Sequence, residues 1–534
     1  MNAADVIARR LAAAGCRTAF GIPGGEVLAL VDALGRAGIR FRLARHENAA
    51  GFMAEGSWHA TGAPGVLVAT VGPGIANCLN VVENAREDRV PLIVISGMID
   101  PAEQARYTHQ VFDHGAVFRR VAKASFTVPD GAADAVIDKA IGIALAGRPG
   151  PVHLDLPIRV AEAEQPAPRG FLRPPPALSA PAPGPELGRA RAMFAAARRP
   201  VLMAGLDALN EPGGARAVRA FAERHRIPVV TSYKAKGILP EDHPLALGGH
   251  GLSPKSDRIV LPVFAAADLV IAAGYDPVEM RAGWQDPWDP AKAIEFAHAP
   301  NEHDMHHAGL AWVCSVAGGL AALEDGLEAR PGWPDDTPAR IRTELEAAFA
   351  PKAAWGPDVA IAELLAAAPF QATITIDSGA HRILLSQMWR ARHPRAVLQS
   401  TGLCTMGCAL PLGIGFKHAR PEAPVIVFTG DAGLEMVLGE LATLRDLALP
   451  LVIVVFVDRS LALIEMKQRQ AGMQNAGVDF ERTDFALLAR VYGGRGVTVT
   501  GPGEAGPALV EALAAERFTL IAVELPRRAY DGLF

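Results

Sequence analysis

The sequence predicts an α/β protein made of three doubly wound parallel-sheet domains. Three observations carry that prediction. Runs that are apolar on both faces, as strands buried between helices must be, recur along the chain and alternate with helical patterns. A length of 534 residues is too great for one core and suggests about three domains at roughly 150 residues each. A proline-dense stretch from residue 166 to 185 has little that can pack and reads as an extended linker.

The first unit, residues 1–165, opens with a helical pattern at 4–14, a short strand at 18–21 and a second helix at 25–34. Strand-like runs follow at 41–44, 65–70 and 91–96, and the unit closes near 152–157. Beyond the linker, 166–184, a second unit spans 185–335, with buried strands at 200–205 and 268–274 that each end at a glycine. A Pro-rich, charged stretch at 330–338 leads into the third unit, 336–534. This carries strands at 373–376, 424–429 and 451–457, and a helix at 434–447. The first and third units share size and rhythm, so two similar domains flank a different one.

Composition excludes several classes of function. The chain is 50% hydrophobic and 20% charged, as globular proteins are. A net charge of -5, with no long basic run, argues against a nucleic-acid partner. Apolar runs such as 450–457 are strand length, far short of a membrane span, and the N-terminus lacks the pattern of a cleaved leader. A cytoplasmic protein with no membrane partner is expected. Cys16, Cys78, Cys314, Cys404 and Cys408 have no framework spacing and fit a reducing compartment. Cys404 and Cys408 read as small buried residues sooner than as half a metal site. The cluster His298, His303, His306 and His307 sits in a loop-rich stretch, and a zinc reading of it is not favoured.

Chemistry concentrates at strand ends. The apolar run 424–429 leads straight into Gly430, Asp431, Ala432 and Gly433, then a helical pattern. Ligands of open αβ sheets bind beyond the carboxyl ends of strands. Small residues there let the backbone approach a diphosphate, and a helix N-terminus adds donors. Asp431 can face a phosphate only across a cation, so a hard divalent metal is implied. The next strand ends at Asp458, Arg459 and Ser460. By themselves the two aspartates fit capping or turn roles equally well.

The block from Gly430 to Asp458 resembles the diphosphate- and metal-binding motif of thiamine-diphosphate-dependent enzymes, with Ala432 at a usual glycine and Asp458 at a usual asparagine. The resemblance implies Mg²⁺ held by Asp431, Asp458 and the Ser460 carbonyl. Asp458 keeps an oxygen ligand but adds a negative charge. Arg45-His46-Glu47 resembles the family's pyrimidine-domain segment and puts its glutamate at Glu47, which would bond the aminopyrimidine ring nitrogen and drive loss of the thiazolium proton. The segment from Val71 to Asn77 is similar to the family's Gly-Pro-Gly loop, which gives Pro73 and Asn77 as cofactor contacts. The segment from Gly402 to Gly407 is similar to the one that bends the cofactor, with Met406 between its rings and the Cys404 carbonyl at its amine. Cys404 stands at a usual glycine. Ser378, Gly379 and His381 resemble the family's second diphosphate contact.

Within the family the sequence looks most like acetolactate synthase, through residues 20–25 and 147–152 and through Gln110 at that branch's active-site glutamine. The run Tyr275-Asp276-Pro277-Val278-Glu279 is similar to the form lacking FAD, so FAD stays open and is not favoured. Thr70 stands where benzoylformate decarboxylase has a histidine, and Ile464 where pyruvate decarboxylase has a glutamate. The resemblance therefore implies a transferase or lyase in which carboligation of a 2-oxo acid or acyl donor with a carbonyl acceptor is favoured. A 2-oxo acid decarboxylase, a 2-hydroxyacyl lyase and a catalytically inactive cofactor-binding paralogue are the alternatives. Gly25, Glu26, Thr70, His109, Leu463 and Ile464 are the candidate substrate pocket, with His114 a further polar candidate. The family's geometry sets Glu47 of one subunit against cofactor held by another, which implies a homodimer or homotetramer with active sites at the subunit interface.

Overall fold

The computed structural model describes residues 1–166, 178–278 and 280–534; positions 167–177 of the predicted linker and Glu279 lie outside the described residues. Three six-stranded sheets result. The first comprises β1 (Thr18–Ile22), β2 (Arg40–Leu43), β3 (Gly65–Ala69), β4 (Leu92–Met98), β5 (Ala124–Thr127) and β6 (Val152–Pro157). The second comprises β7 (Pro200–Ala204), β8 (Val229–Ser232), β9 (Ala246–His250), β10 (Leu269–Ala273), β11 (Ala293–Ala297) and β12 (Leu310–Val313). The third comprises β13 (Thr373–Ile376), β14 (Val397–Gln399), β15 (Val425–Gly430), β16 (Val452–Val457), β17 (Arg495–Val499) and β18 (Thr519–Glu524).

Every pairing of these strands is parallel. Central strands such as β16, all six of whose residues are buried, can be apolar throughout because helices cover both faces. The first sheet runs β2-β1-β3-β4-β6-β5 and the third β14-β13-β15-β16-β18-β17, the same topology. The middle sheet runs β9-β8-β7-β10-β11-β12 and therefore follows the doubly wound dinucleotide-fold order.

One helix pair joins the first and third sheets within the chain. Helix Glu47–Thr61 crosses helix Ala409–Ala419, and the crossing is close enough that side chains are excluded at two points. A Cβ at Gly56 would lie 2.1 Å from the Leu412 carbonyl oxygen, and one at Gly415 only 1.9 Å from that of Met53.

The expected single helix at 434–447 is instead two short ones, Asp431–Glu435 and Glu440–Asp446. The break has a tertiary cause. Gly439 packs against Arg45, and the Glu440 carboxylate accepts from the Arg45 and His46 backbone N–H groups at 3.0 and 3.1 Å.

Candidate active site

The carboxyl ends of β13, β15 and β16 open on a cavity of about 220 Å³. Ser378, Gly379, His381, Cys404, Met406, Gly430, Asp431, Ala432, Gly433, Asp458, Ser460, Leu463 and Ile464, read from the sequence as one site, all border it. At its polar end Asp431 accepts from the backbone N–H of Ala432 at 2.8 Å, of Arg459 at 2.7 Å and of Asp458 at 3.1 Å. These bonds lock the β15 and β16 ends together. The Asp458 carboxylate accepts from the Ser460 N–H at 3.3 Å. Burial pushes the Asp431 carboxyl up to about 6; burial and the neighbouring Asp431 push Asp458 up to about 7.

Facing these carboxylates are two buried polar atoms, Ser378 Oγ and His381 Nε2, without a hydrogen-bond partner among the described residues. Burial drops the His381 pKa to about 3, so the imidazole is neutral. Leaving such groups unpaired costs about 1–3 kcal/mol each, unless a ligand takes them up. Gly433 is required by space, since a Cβ there would lie 2.0 Å from Asp377 Oδ2. The other end is apolar, formed by Met406, Phe456, Leu461, Leu463 and Ile464.

Among the described residues, none from the first sheet's domain borders this cavity. The sequence-predicted residues of that domain form a second group. Glu47 is buried at the start of its helix, and Asn77 Nδ2 donates to its carboxylate at 3.0 Å. Pro73 opens the short helix Pro73–Ala76 next to it, and a Cβ on Gly74 would lie 3.4 Å from Glu47 Oε1 and 2.7 Å from the Thr70 methyl. Thr70 in turn donates to Glu26 at 2.5 Å. Gly25 begins a 3-10 turn with Glu26. Gln110 has a left-handed backbone and packs on Gly72, while His109 is exposed on the same loop. His114 is instead buried below, bonded to Asp155 at 2.7 Å.

Two organising residues escaped sequence reasoning. Asp377 accepts from the N–H groups of Gly407 and Cys408 (2.9 and 3.1 Å) and from the Thr429 hydroxyl (3.0 Å), fixing the turn after Met406. Asp88 reaches from the first domain and accepts from the N–H groups of Thr401 and Gly402, with Lys234 of the middle domain paired to it at 2.8 Å. The sequence signal for Asp377 was its place at a strand end directly before Ser378; Asp88 had none. His298 and His306 are each bonded to a glutamate, at 3.0 and 2.9 Å. Among the described residues, no three His, Cys, Asp or Glu side chains gather as a metal site, and the cysteines are free.

Comparison with known proteins agrees with this geometry. Family models for thiamine pyrophosphate enzymes match in order: the N-terminal TPP binding domain over residues 1–117, the central domain over 187–323 and the C-terminal TPP binding domain over 377–523. A probable 2-ketoarginine decarboxylase of Pseudomonas aeruginosa is 33% identical over 521 residues, covering 92% of this chain and 88% of its own length. The chain belongs to the thiamine pyrophosphate enzyme family. The acetolactate synthase isozyme 1 large subunit of Escherichia coli is 33% identical, covering 87% of this chain and 83% of its own. A probable acetolactate synthase large subunit of Methanocaldococcus jannaschii is 31% identical, with 96% and 90% covered.

The middle domain of this thiamine pyrophosphate enzyme has the strand order of a dinucleotide fold, and the chain following β7 packs closely on the chain following β10. A Cβ on Gly205 would lie 2.3 Å from the Gly274 carbonyl oxygen. Arg148 reaches in from the first domain to Asp207 at 3.2 Å and Asp276 at 3.5 Å, and Arg89 donates to Asp276 at 2.8 Å. A larger cleft of about 550 Å³ lies between the middle and third domains. Of its charged residues, Lys236 is paired with Glu241, and Arg342 and Arg390 with Glu346, while Arg392 lies over the Phe370 ring. No helix among the described residues is long and apolar enough to cross a membrane.

Proposed function

We propose that the protein uses thiamine diphosphate and Mg²⁺ to break and make the carbon–carbon bond beside the carbonyl of a 2-oxo acid, with carboligation to a second carbonyl as its main outcome. The domain limits 1–165, 185–335 and 336–534 and a cytoplasmic location belong to the same reading. One observation carries the choice of outcome: Leu463, Ile464, Met406 and Phe456 give the non-phosphate end of the cavity no proton donor.

When bound, thiamine diphosphate supplies a carbon nucleophile and an electron sink. The chain's own residues do the rest. Ser378 Oγ and the neutral His381 are donors for a diphosphate, and their lack of partners fits an anionic ligand. Asp431, Asp458 and the Ser460 carbonyl are hard oxygen ligands suited to Mg²⁺. Glu47, oriented by Asn77, handles the proton of the aminopyrimidine. Gln110, Glu26 and Thr70 are the polar groups set to orient substrate. The apolar wall excludes water, so a captured acceptor competes well with protonation. FAD is possible but not favoured, and no flavin step is invoked.

Two facts support a homodimer or homotetramer as the working unit. The cavity is smaller than the roughly 300–1,000 Å³ usual for a small-molecule site, and Glu47 is not part of it. Large apolar residues lie exposed beside both halves, Leu403 and Met436 near the cavity and Leu28 and Leu79 near Glu26 and Asn77. A second copy would cover them.

The decarboxylase reading is favoured by the name of the P. aeruginosa relative. Purified protein, incubated with thiamine diphosphate, Mg²⁺, pyruvate and longer 2-oxo acids including a guanidino one, should yield 2-hydroxyketone or acetolactate-type products in excess of free aldehyde by mass spectrometry. Free aldehyde as the dominant product moves the protein to the decarboxylases. Cofactor binding with no 2-oxo acid consumed identifies an inactive paralogue.

A further inference from the structure

The Asp458 side of the cavity is completed by Tyr530, a residue of the segment Leu525–Phe534 that belongs to none of the recognised motifs. Its placement is firmly built. The Leu525 N–H donates to the Val457 carbonyl at 2.9 Å, which carries the β16–β18 pairing to the strand ends beside Asp458. The chain then folds back, with the Leu533 N–H donating to the Tyr530 carbonyl at 3.2 Å. Tyr530 and Leu533 are buried in the third domain's core. On the outer side Arg528 bonds Glu465 at 2.9 Å and Arg469 bonds Asp531 at 2.8 Å.

The ring is therefore fixed, and it lines the cavity together with Asp458 and Ser460. A tyrosine hydroxyl is a hydrogen-bond donor. Tyr530 also shares a smaller void with Ser460, which places it at the metal end of the cavity.

We propose that Tyr530 is a cofactor-binding residue whose hydroxyl donates to the diphosphate at the metal end, on the same side as the Asp458 carboxylate. The inference rests on the thiamine diphosphate reading above. It also accounts for how a site with two carboxylates accepts a diphosphate, since a neutral donor there offsets part of the extra negative charge.

Calorimetry on the apoprotein tests this, with Mg²⁺ alone and then with thiamine diphosphate at saturating Mg²⁺. Tyr530→Phe keeps the ring and its packing. It should weaken thiamine diphosphate about tenfold or more, the usual effect of losing a hydrogen bond to a charged group. Its Mg²⁺ affinity and the thermal midpoint of the apoprotein should match the wild type. Leu533→Ala loosens the same segment without touching the cavity, and should lower the thermal midpoint while leaving cofactor affinity near wild type. Wild-type affinity in Tyr530→Phe, or an equal loss in Leu533→Ala, overturns the proposal. A wild-type protein that binds no thiamine diphosphate with Mg²⁺ overturns the cofactor reading itself, and this inference with it.

Discussion

At position 404 a side chain occupies backbone that favours glycine, with φ at +56°. The strain of order 1–2 kcal/mol is offset by contacts of its own sulfur, which donates to the Thr401 carbonyl at 3.2 Å and accepts from Arg382 at 3.3 Å. Cys404 was legible in the sequence as a departure from the family's glycine; its compensation was not, because Arg382 lies on another element. The same distinction runs through the site. Glu47, Asp431 and Asp458 stand in local motifs at strand ends, whereas Asp88 acts on a loop more than 300 positions away, at Thr401. His153 is a third residue of that hidden kind, bonded to Ser96 and Ser125 at 2.8 Å each and fully buried. Burial drops its pKa to about 4 in the folded protein, against 6.5 when exposed. Between those values the unfolded chain binds a proton that the folded one refuses. His153 therefore contributes stability in full above pH 6.5 and loses it as pH falls toward 4. At pH 5 the loss is roughly 2 kcal/mol. The destabilisation caused by His153→Gln, read as a gap in thermal midpoint from the wild type, should be largest at pH 7 and narrow at pH 5. A gap independent of pH would show that His153 does not titrate in this window.

At the scale of elements, the sequence reading found part of the buried strands and missed others. Strands β6 and β13 fall at the expected residues, 152–157 and 373–376. It missed the short strand β14 and the half-exposed β17, whose residues carry no long apolar run, and also the buried β8, β11 and β18, the last in spite of its run Leu520-Ile521-Ala522-Val523. It merged the two helices on either side of Gly439 because the break is imposed by Arg45 and His46. The crossing of helices Glu47–Thr61 and Ala409–Ala419 is likewise invisible in periodicity, since glycine at 56 and 415 lowers helix propensity and gives no apolar signal. Its requirement for bare backbone is strict. Gly415→Ala should force the two helices apart and cost about 1–3 kcal/mol or more, lowering the thermal midpoint by several degrees. Gly142→Ala is the matching control, because that glycine lies within helix Ala133–Leu145 with open space around its Cβ position. There the better helix former should leave the midpoint equal or higher. If both substitutions behave alike, the crossing does not depend on close approach.

For the whole molecule, the question is how two separated half-sites become one. The first and third domains share a topology, and each presents its strand ends, Thr70 after β3 and Asp431 after β15, to a different group of polar residues. Glu47 is held by Asn77 in one group, and the carboxylates Asp431 and Asp458 line the cavity in the other. Under the proposed function the two groups meet across a twofold axis, with each dimer carrying two composite sites. Two variants then fail for different reasons. Glu47→Gln retains the cavity and binds cofactor but cannot handle the aminopyrimidine proton, whereas Asp431→Ala loses the metal and with it the cofactor. Each alone should be nearly inactive. Co-expressed with different affinity tags, they form mixed dimers in which one site is wild type, built from Glu47 of one chain and Asp431 of the other, and its twin carries both defects. Purification through both tags should recover about half the specific activity of the wild type, and an unfractionated random mixture roughly a quarter. In a tetramer made of such dimers the random mixture still gives roughly a quarter, whereas double-tag recovery gives roughly 30%, because tetramers that pair the two parent dimers are captured too. Mixed dimers no more active than their parents would instead place Glu47 and Asp431 of the same chain in one site, and would require the first and third domains to rearrange before any cofactor could bridge them.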